Sequence, residues 1–255
     1  MTKKDRNLIF NPYIAKEKPS NQDACPFCVK DNLGKILDER GSFLWLENKY
    51  PTLENAYQTL IIESPEHLGD VSNYQDDYVV SLFDYSIAKW QELKEQGDYK
   101  SVCLFKNFGP LSGGSLRHPH MQIVGLDAID AQAKLEDLYF EGLVVVPQSQ
   151  DSAEFNISLN PIMGYSEFNV RAPKERIDLL ALMTKRVTLF LLRDYFQGRC
   201  QSYNLFFYEQ EDQYICKVIP RFIASPYFLG YLIPQCHQLE RLEEVKSEFL
   251  ASQKR

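Results

Sequence analysis

No stretch of the sequence approaches the ~18 consecutive apolar residues of a membrane-spanning helix. The first ten residues, MTKKDRNLIF, carry basic side chains but no apolar core of a secretion signal. Surplus positive charge is also missing: 28 Lys and Arg face 35 Asp and Glu, a formal net charge of -7. That balance argues against a nucleic-acid or anionic-membrane binder, which works through summed basic charge. An anionic small substrate is still admissible, because a site needs only local cations. With 44% hydrophobic, 13% aromatic and 25% charged residues, the composition leaves no room for a long disordered tract. The expectation is a soluble cytoplasmic protein with its thiols reduced.

Six cysteines stand at 25, 28, 103, 200, 216 and 236. The last four lie in apolar or mixed surroundings and read as small core residues. Residues 1 to 34 are rich in Pro, Asn, Lys and Asp and read as an irregular arm that carries CPFC in a turn. Strands are expected at 43–47, 57–63, 101–107 and 119–126. A helix is expected between the second and third of these, with apolar residues at 79, 80, 83, 87 and 90 and an end at Gly97. The alternation then recurs: a strand in GLVVVPQ, a strand pair over 156–170, a helix over 173–197 and a strand over 202–210. SVCLFKNFG at 101 and SYNLFFYEQ at 202 share Ser, Leu and Phe at the same offsets, which suggests an internal duplication. The tail from Gln238 to Arg255 is expected to be a polar amphipathic helix at the surface.

Histidine is scarce, with only four in 255 residues, and two of them fall within GGSLRHPHMQI at 113–123. On a strand, His118, His120 and Gln122 point to one face and Pro119, Met121 and Ile123 to the other. The apolar face can pack on a helix while the polar triplet faces a cleft. Pro119 donates no ladder hydrogen bond, so the stretch belongs at a strand start or a sheet edge. The preceding PLSGGS bend offers backbone N–H groups that can cradle an anion. Singly, each histidine reads as an ordinary hydrogen-bonded residue; the combination is more specific.

His118-Pro119-His120-Met121-Gln122 resembles the His-Pro-His-Gly-Gln signature of the galactose-1-phosphate uridylyltransferase branch of the histidine triad (HIT) superfamily, with Met in place of Gly. Asn107, Gly109 and Ser115 stand at the family's spacing before the first histidine. Asn48, Tyr50 and Pro51 in LENKYPTL are in register with its Asn-Asp-Phe-Pro segment, with Lys49 where Asp is usual. SPEHL with His67 resembles its Ser-Pro-x-His, CPFC its Cys-x-x-Cys, and AKEKP its basic arm segment. The resemblance spans most of residues 10 to 125 and is weaker beyond.

What the resemblance implies is an α+β, HIT-like fold of two related halves, 1–130 and 131–255, each with an antiparallel sheet and packed helices. It implies zinc, mainly structural, on Cys25, Cys28, His67 and His118. His120 would be the nucleophile that attacks an α-phosphate to give a nucleotidyl-histidine, its other ring nitrogen held by a main-chain carbonyl. Gln122 would donate to phosphate oxygens, with Asn107, Ser115 and the Gly113-Gly114 backbone stabilising developing charge; Asn48 and Gly109 complete the expected substrate-binding set. A glutamine at 122 leans toward transfer over hydrolysis, because a neutral amide cannot shuttle a proton. Ile215 and Lys217 occupy the positions of a second His-x-His pair, so a second metal is not expected. Tyr227 replaces a hexose-contacting lysine, which leaves the sugar open, and Lys49 leaves the base open.

The expected activity is nucleotidyl transfer from a nucleotide sugar or dinucleotide to a phosphorylated acceptor, with a homodimer as the family's assembly and neither nucleic acid nor membrane as partner. Two alternatives stand beside it. One is phosphorolysis or hydrolysis of dinucleoside polyphosphates, and the other a catalytically inactive nucleotide-binding protein.

Overall fold

The computed structural model describes residues 7–18 and 25–254, which divide into two compact units. The first comprises residues up to Gly69 with Ser81–Lys106 and Ser115–Lys134; the second comprises Asp70–Val80, Asn107–Gly114 and everything from Leu135.

The chain begins with β1 (Ile9–Phe10) and α1 (Pro12–Glu17), whose first turn is capped by Asn11 Oδ1 accepting from the amides of Tyr13 and Ile14. Then come β2 (Ile36–Arg40), β3 (Phe43–Glu47), β4 (Leu53–Glu54), β5 (Ala56–Ile62), α2 (Asp76–Glu95), β6 (Ser101–Phe108) and β7 (His120–Leu126). In the first unit β2-β3-β5-β7-β6 form an antiparallel run, and β1 pairs with β4. Register decides which residues share a face. Leu44 pairs with Ile62 and Ile62 with His120, while Leu46 pairs with Leu60 and Leu60 with Gln122. The opposite face, with Phe43, Trp45, Ile61 and Met121, meets α2: Tyr85 stacks on Phe43, and Trp90 donates to the carbonyl of Val102. Phe83, Ile87, Trp90 and Met121 are fully buried there, as the helical spacing predicts. β2 went unpredicted because ILDER is a charged, exposed edge strand with little apolar pattern.

The second unit carries β8 (Gly142–Val146), β9 (Glu154–Ser158), β10 (Gly164–Tyr165), β11 (Phe168–Pro173), α3 (Ile177–Arg193), β12 (Tyr203–Gln210), β13 (Gln213–Pro220), α4 (Pro226–Tyr231), β14 (Gln235–Cys236) and α5 (Leu239–Ser252). Its main strands run β8-β9-β11-β13-β12, the order of the first unit repeated, with α3 in the place of α2. The two halves are therefore related in topology. If β6 is carried onto β12 by the step from Ser101 to Ser202, Lys106 falls on Phe207. The ladders then bring His120 onto Ile215 and Gln122 onto Lys217.

Three expectations need correcting. The helix expected from 173 starts at Ile177, because the chain through Pro173 is already paired with β13. The tail helix is not a surface element only: Leu242, Val245 and Phe249 are buried, and Phe249 meets Phe155 at 4.6 Å and Phe190 at 5.4 Å. Cys236 is exposed in β14 instead of lying in the core, whereas Cys200 and Cys216 are buried as expected and Cys103 is half-buried. Because the Phe249 ring is lodged between two others, Phe249→Ala should cost about 3–5 kcal/mol of unfolding free energy. Urea denaturation checks this; a loss below ~0.5 kcal/mol would return α5 to the surface.

Candidate functional site

His120 opens β7, and two residues earlier His118 lies in the loop that leads into it. Both are buried, at 1% and 8% exposure. The cover on this face is the Cys25–Cys28 turn. A Cys-Pro-Phe-Cys sequence forms one tight turn because proline fixes the first helical position. That turn aims Phe27 inward, edge-on to His118 at 5.8 Å and to His120 at 5.5 Å. Phe27 is anchored with Leu33 and Leu44 against Leu46, Leu60 and Ile62. The apolar half of the face thus holds the turn, and the turn holds the imidazoles.

Hydrogen bonds then fix each ring. His118 Nε2 meets the Ser64 carbonyl at 2.8 Å, which turns Nδ1 toward the thiols of Cys28 at 3.5 Å and Cys25 at 3.7 Å. His67 Nδ1 lies 3.4 Å from Cys28 Sγ. The four donor atoms lie within 4.8 Å of one another, so Cys25, Cys28, His67 and His118 could hold a metal ion. In a tetrahedral site with thiolate and imidazole ligands, the sulfur-to-nitrogen edge is about 3.6 Å, and the observed separations bracket it. Burial and the adjacent Cys25 thiol push the Cys28 thiol up from its ordinary range. A cation bound between them would favour the thiolate forms.

His120 has a different task. Its Nδ1 meets the carbonyl oxygen of His118 at 2.8 Å, a partner that can only accept, so the proton sits on Nδ1 and the lone pair on Nε2. Burial is the main cause that pushes its pKa down to about 4, opposed by the His118 carbonyl and assisted by the positive charges of Lys106 and Lys18. The imidazole is accordingly neutral near pH 7. Nε2 has no partner among the described residues, and neither has the amide of half-buried Gln122, one pleat further on.

Two cations near His120 carry less specific sequence signals. Lys18 follows Lys16 in the arm segment, whose Pro19 lies outside the described residues; burial pushes the Lys18 pKa down. Lys106 lies on the helix-covered face of β6 and pairs at 2.5 Å with Glu63, both fully buried. A lysine in an apolar-looking strand gives no hint of its partner 43 positions away.

The other expected residues divide. Asn48 Oδ1 accepts from the amide of Tyr50 and so stabilises the turn before β4. Lys49 reaches the carbonyl of Asn32. Ser115 is exposed in the first unit. Asn107, Gly109, Gly113 and Gly114 belong to the second unit, where Asn204 Nδ2 donates to Asn107 Oδ1 at 2.6 Å and to the Ser112 carbonyl at 3.0 Å. Gly109 has φ +83°, and a Cβ there would sit 2.2 Å from the carbonyl of Gln201, so only glycine fits. Ile215 and Lys217 are buried, and Lys217 is engaged by Glu167 at 3.0 Å, the Tyr139 carbonyl at 2.7 Å and Asn169 at 3.1 Å. A cavity of about 540 Å³ in the second unit, walled by Arg199, Arg241, Glu244 and Glu248, contains none of the histidine-motif residues. No helix among the described residues is long and apolar enough to cross a membrane.

The comparisons with known proteins bear on the fold and the family. No curated protein matches the sequence. "Structure of uridylyltransferase" superposes with a TM-score of 0.71 at 16% identity, covering 92% of this chain and 93% of that one. An ADP-glucose phosphorylase from Arabidopsis thaliana, with ADP-glucose bound, gives 0.68 at 15% identity and covers 95% and 98%. At these identities the likeness establishes the fold, which is that of the uridylyltransferase-like branch. A DUF4931 family protein from Bacillus cereus is 39% identical, covering 87% of this chain and 100% of that one, with a TM-score of 0.77. Models of the N-terminal and C-terminal domains of unknown function DUF4931 match residues 10–129 and 132–251. The chain belongs to the DUF4931 family.

Proposed function

We propose that the protein is a nucleotidyltransferase that works through a covalent nucleotidyl-histidine on His120. The observation that carries this reading is the bond from His120 Nδ1 to the His118 carbonyl, which leaves a neutral Nε2 that, like the amide of Gln122 one pleat further on, has no partner among the described residues. Nε2 attacks the α-phosphorus of a nucleotide sugar or dinucleotide; the N–P bond forms as the P–O bond to the leaving phosphate breaks. An oxygen of a phosphorylated acceptor then attacks the same phosphorus and releases His120. Lys18 supplies positive charge on the substrate side, and Gln122 donates to a non-bridging oxygen. With an amide in place of a third imidazole, no group at 122 can carry a proton to water, which favours transfer over hydrolysis. Asn48, Asn107, Gly109, Gly113, Gly114 and Ser115 are included as substrate-side residues on the strength of the motif spacing alone.

We propose zinc as the ion on Cys25, Cys28, His67 and His118. Four protein ligands close its coordination, so its part is to hold His118 and the 25–28 turn in place. The backbone carbonyl of His118 is what orients His120, so the ion's effect on chemistry is indirect.

Incubation of zinc-loaded protein with UDP-glucose, ADP-glucose and diadenosine tetraphosphate should give a nucleotide-sized mass increase with at least one donor, and none with His120→Gly. Discharge of the adduct by a sugar phosphate supports transfer, and discharge by inorganic phosphate supports phosphorolysis. An adduct that persists in His120→Gly, or that no donor produces, refutes the covalent mechanism.

Zinc content can be read without activity. Metal analysis should find about one zinc per chain in the wild type and in His120→Gly, and well below one in Cys28→Ser, which should also melt at a lower temperature. Equal zinc content in Cys28→Ser and wild type rules out the assigned ligand set.

A further inference from the structure

Arg221, which directly follows β13, is half-buried and yet makes no ion pair among the described residues; its Nε is buried with no hydrogen-bond partner. Its one side-chain bond runs from Nη1 to Asn204 Oδ1 at 2.9 Å. A guanidinium can only donate, so the acceptor of Asn204 must face it. The amide of Asn204 must then face the other way, where Ser112 offers a carbonyl that can only accept and Asn107 offers Oδ1. Both ends of Asn204 are thus determined, and the determination passes on. With Oδ1 of Asn107 turned to Asn204, its Nδ2 points away as a donor with no partner among the described residues.

The loop around this donor is rigid. The Ser112 hydroxyl donates to the Gly109 carbonyl at 2.8 Å, and the Leu111 amide donates to Ser202 Oγ at 3.0 Å. Gly114 leaves the space beside the Asn107 side chain open; a Cβ there would lie 3.1 Å from Asn107 Cβ. Gly113 adopts φ +86° in the same bend. A half-buried cation without a counter-charge, wired to an oriented free amide, is an arrangement that lacks an anion.

We infer that Arg221 and Asn204 are positioning residues of a phosphoryl-binding subsite in segment 107–114, in which Arg221 supplies the positive potential and Asn204 sets the direction of the Asn107 amide. The inference rests on the reading that this segment handles a substrate's phosphate oxygens. It adds a residue pair, outside the histidine motif and its flanks, on which the Asn107 contact depends. Asn107 touches the phosphoryl oxygen; Arg221 acts through Asn204 and through its charge.

Inorganic pyrophosphate is the probe, titrated into zinc-loaded full-length protein while the side-chain amide signal of Asn107 is followed by NMR and assigned with Asn107→Ser. The wild type should show a saturable shift of that signal. Arg221→Met, a change at a half-exposed position, should weaken pyrophosphate by about tenfold or more, the scale of one charge-assisted hydrogen bond. Arg221→Lys, which keeps one donor for Asn204, should recover most of it. Asn204→Asp has no N–H to offer, so the Asn107 amide turns round and its shift should vanish. A wild-type titration that leaves Asn107 unmoved, or equal affinity in Arg221→Met and wild type, overturns the inference. Failure of this subsite and failure of the transferase reading are separable. An adduct on His120 whose donor KM is unchanged in Arg221→Met sinks only the subsite. Pyrophosphate binding that follows Arg221 with no adduct from any donor sinks only the transfer chemistry.

Discussion

The hydrogen bond between His120 Nδ1 and the main-chain oxygen of His118, 2.8 Å long, is the contact on which the proposed chemistry turns. It selects the tautomer, and the tautomer decides which nitrogen can act as a nucleophile. The bond spans only two residues, so it is sensitive to where His118 is placed. His118 is in turn placed by the Ser64 carbonyl on one side and by the Cys25–Cys28 turn on the other. Phe27 ties these together, because one ring borders both imidazoles and sits in the apolar cluster of β3 and β5. Burial adds to orientation: a ring withdrawn from water, with two ammonium groups nearby, stays neutral.

The second half shows what the same framework does without a histidine pair. Ile215 and Lys217 hold the positions of His120 and Gln122, and on that face Lys217, Glu167, Asn169 and Asn156 form a closed polar network. Glu167 also accepts from the amides of Ile162 and Met163. Every donor that could have met a ligand is spent inside the protein, so this face binds the half together. The contrast sharpens the meaning of Gln122 and His120 Nε2, which sit at equivalent places with no partner among the described residues.

Much of this was legible in the residues. Helical spacing at 79, 83, 87 and 90 is a consequence of one buried stripe, and the expected alternation holds for His120 and Gln122 against Met121, whereas His118 precedes the strand and is placed by its own contacts. The Cys and His ligands were found by motif, and geometry brings all four together. What escaped shares a cause: the apolar run of β13 is interrupted by Lys217, whose charge is compensated by Glu167, fifty positions earlier. Lys106 with Glu63, and Arg221 with Asn204, are likewise pairs of distant residues whose meaning exists only after folding. Periodicity reports what one segment does against a core. It is silent on a buried charge whose partner lies on another strand.

The four metal-ligand candidates come from three separate stretches, at 25–28, 67 and 118, and their environments differ: His118 is buried while Cys28 and His67 are exposed. An ion bound there would join an exposed loop and a short arm turn to the buried start of β7, a strand paired on both sides. Without it, burial and the Cys25 thiol disfavour ionisation of Cys28, and the turn is held on the histidines by Phe27 and its apolar neighbours together with the thiol–imidazole contacts. An ion held by all four would tie the 25–28 turn to His118 and so couple metal binding to the ordering of the site. The His120 ring is bordered by Phe27 on one side, and its Nε2 has no partner among the described residues.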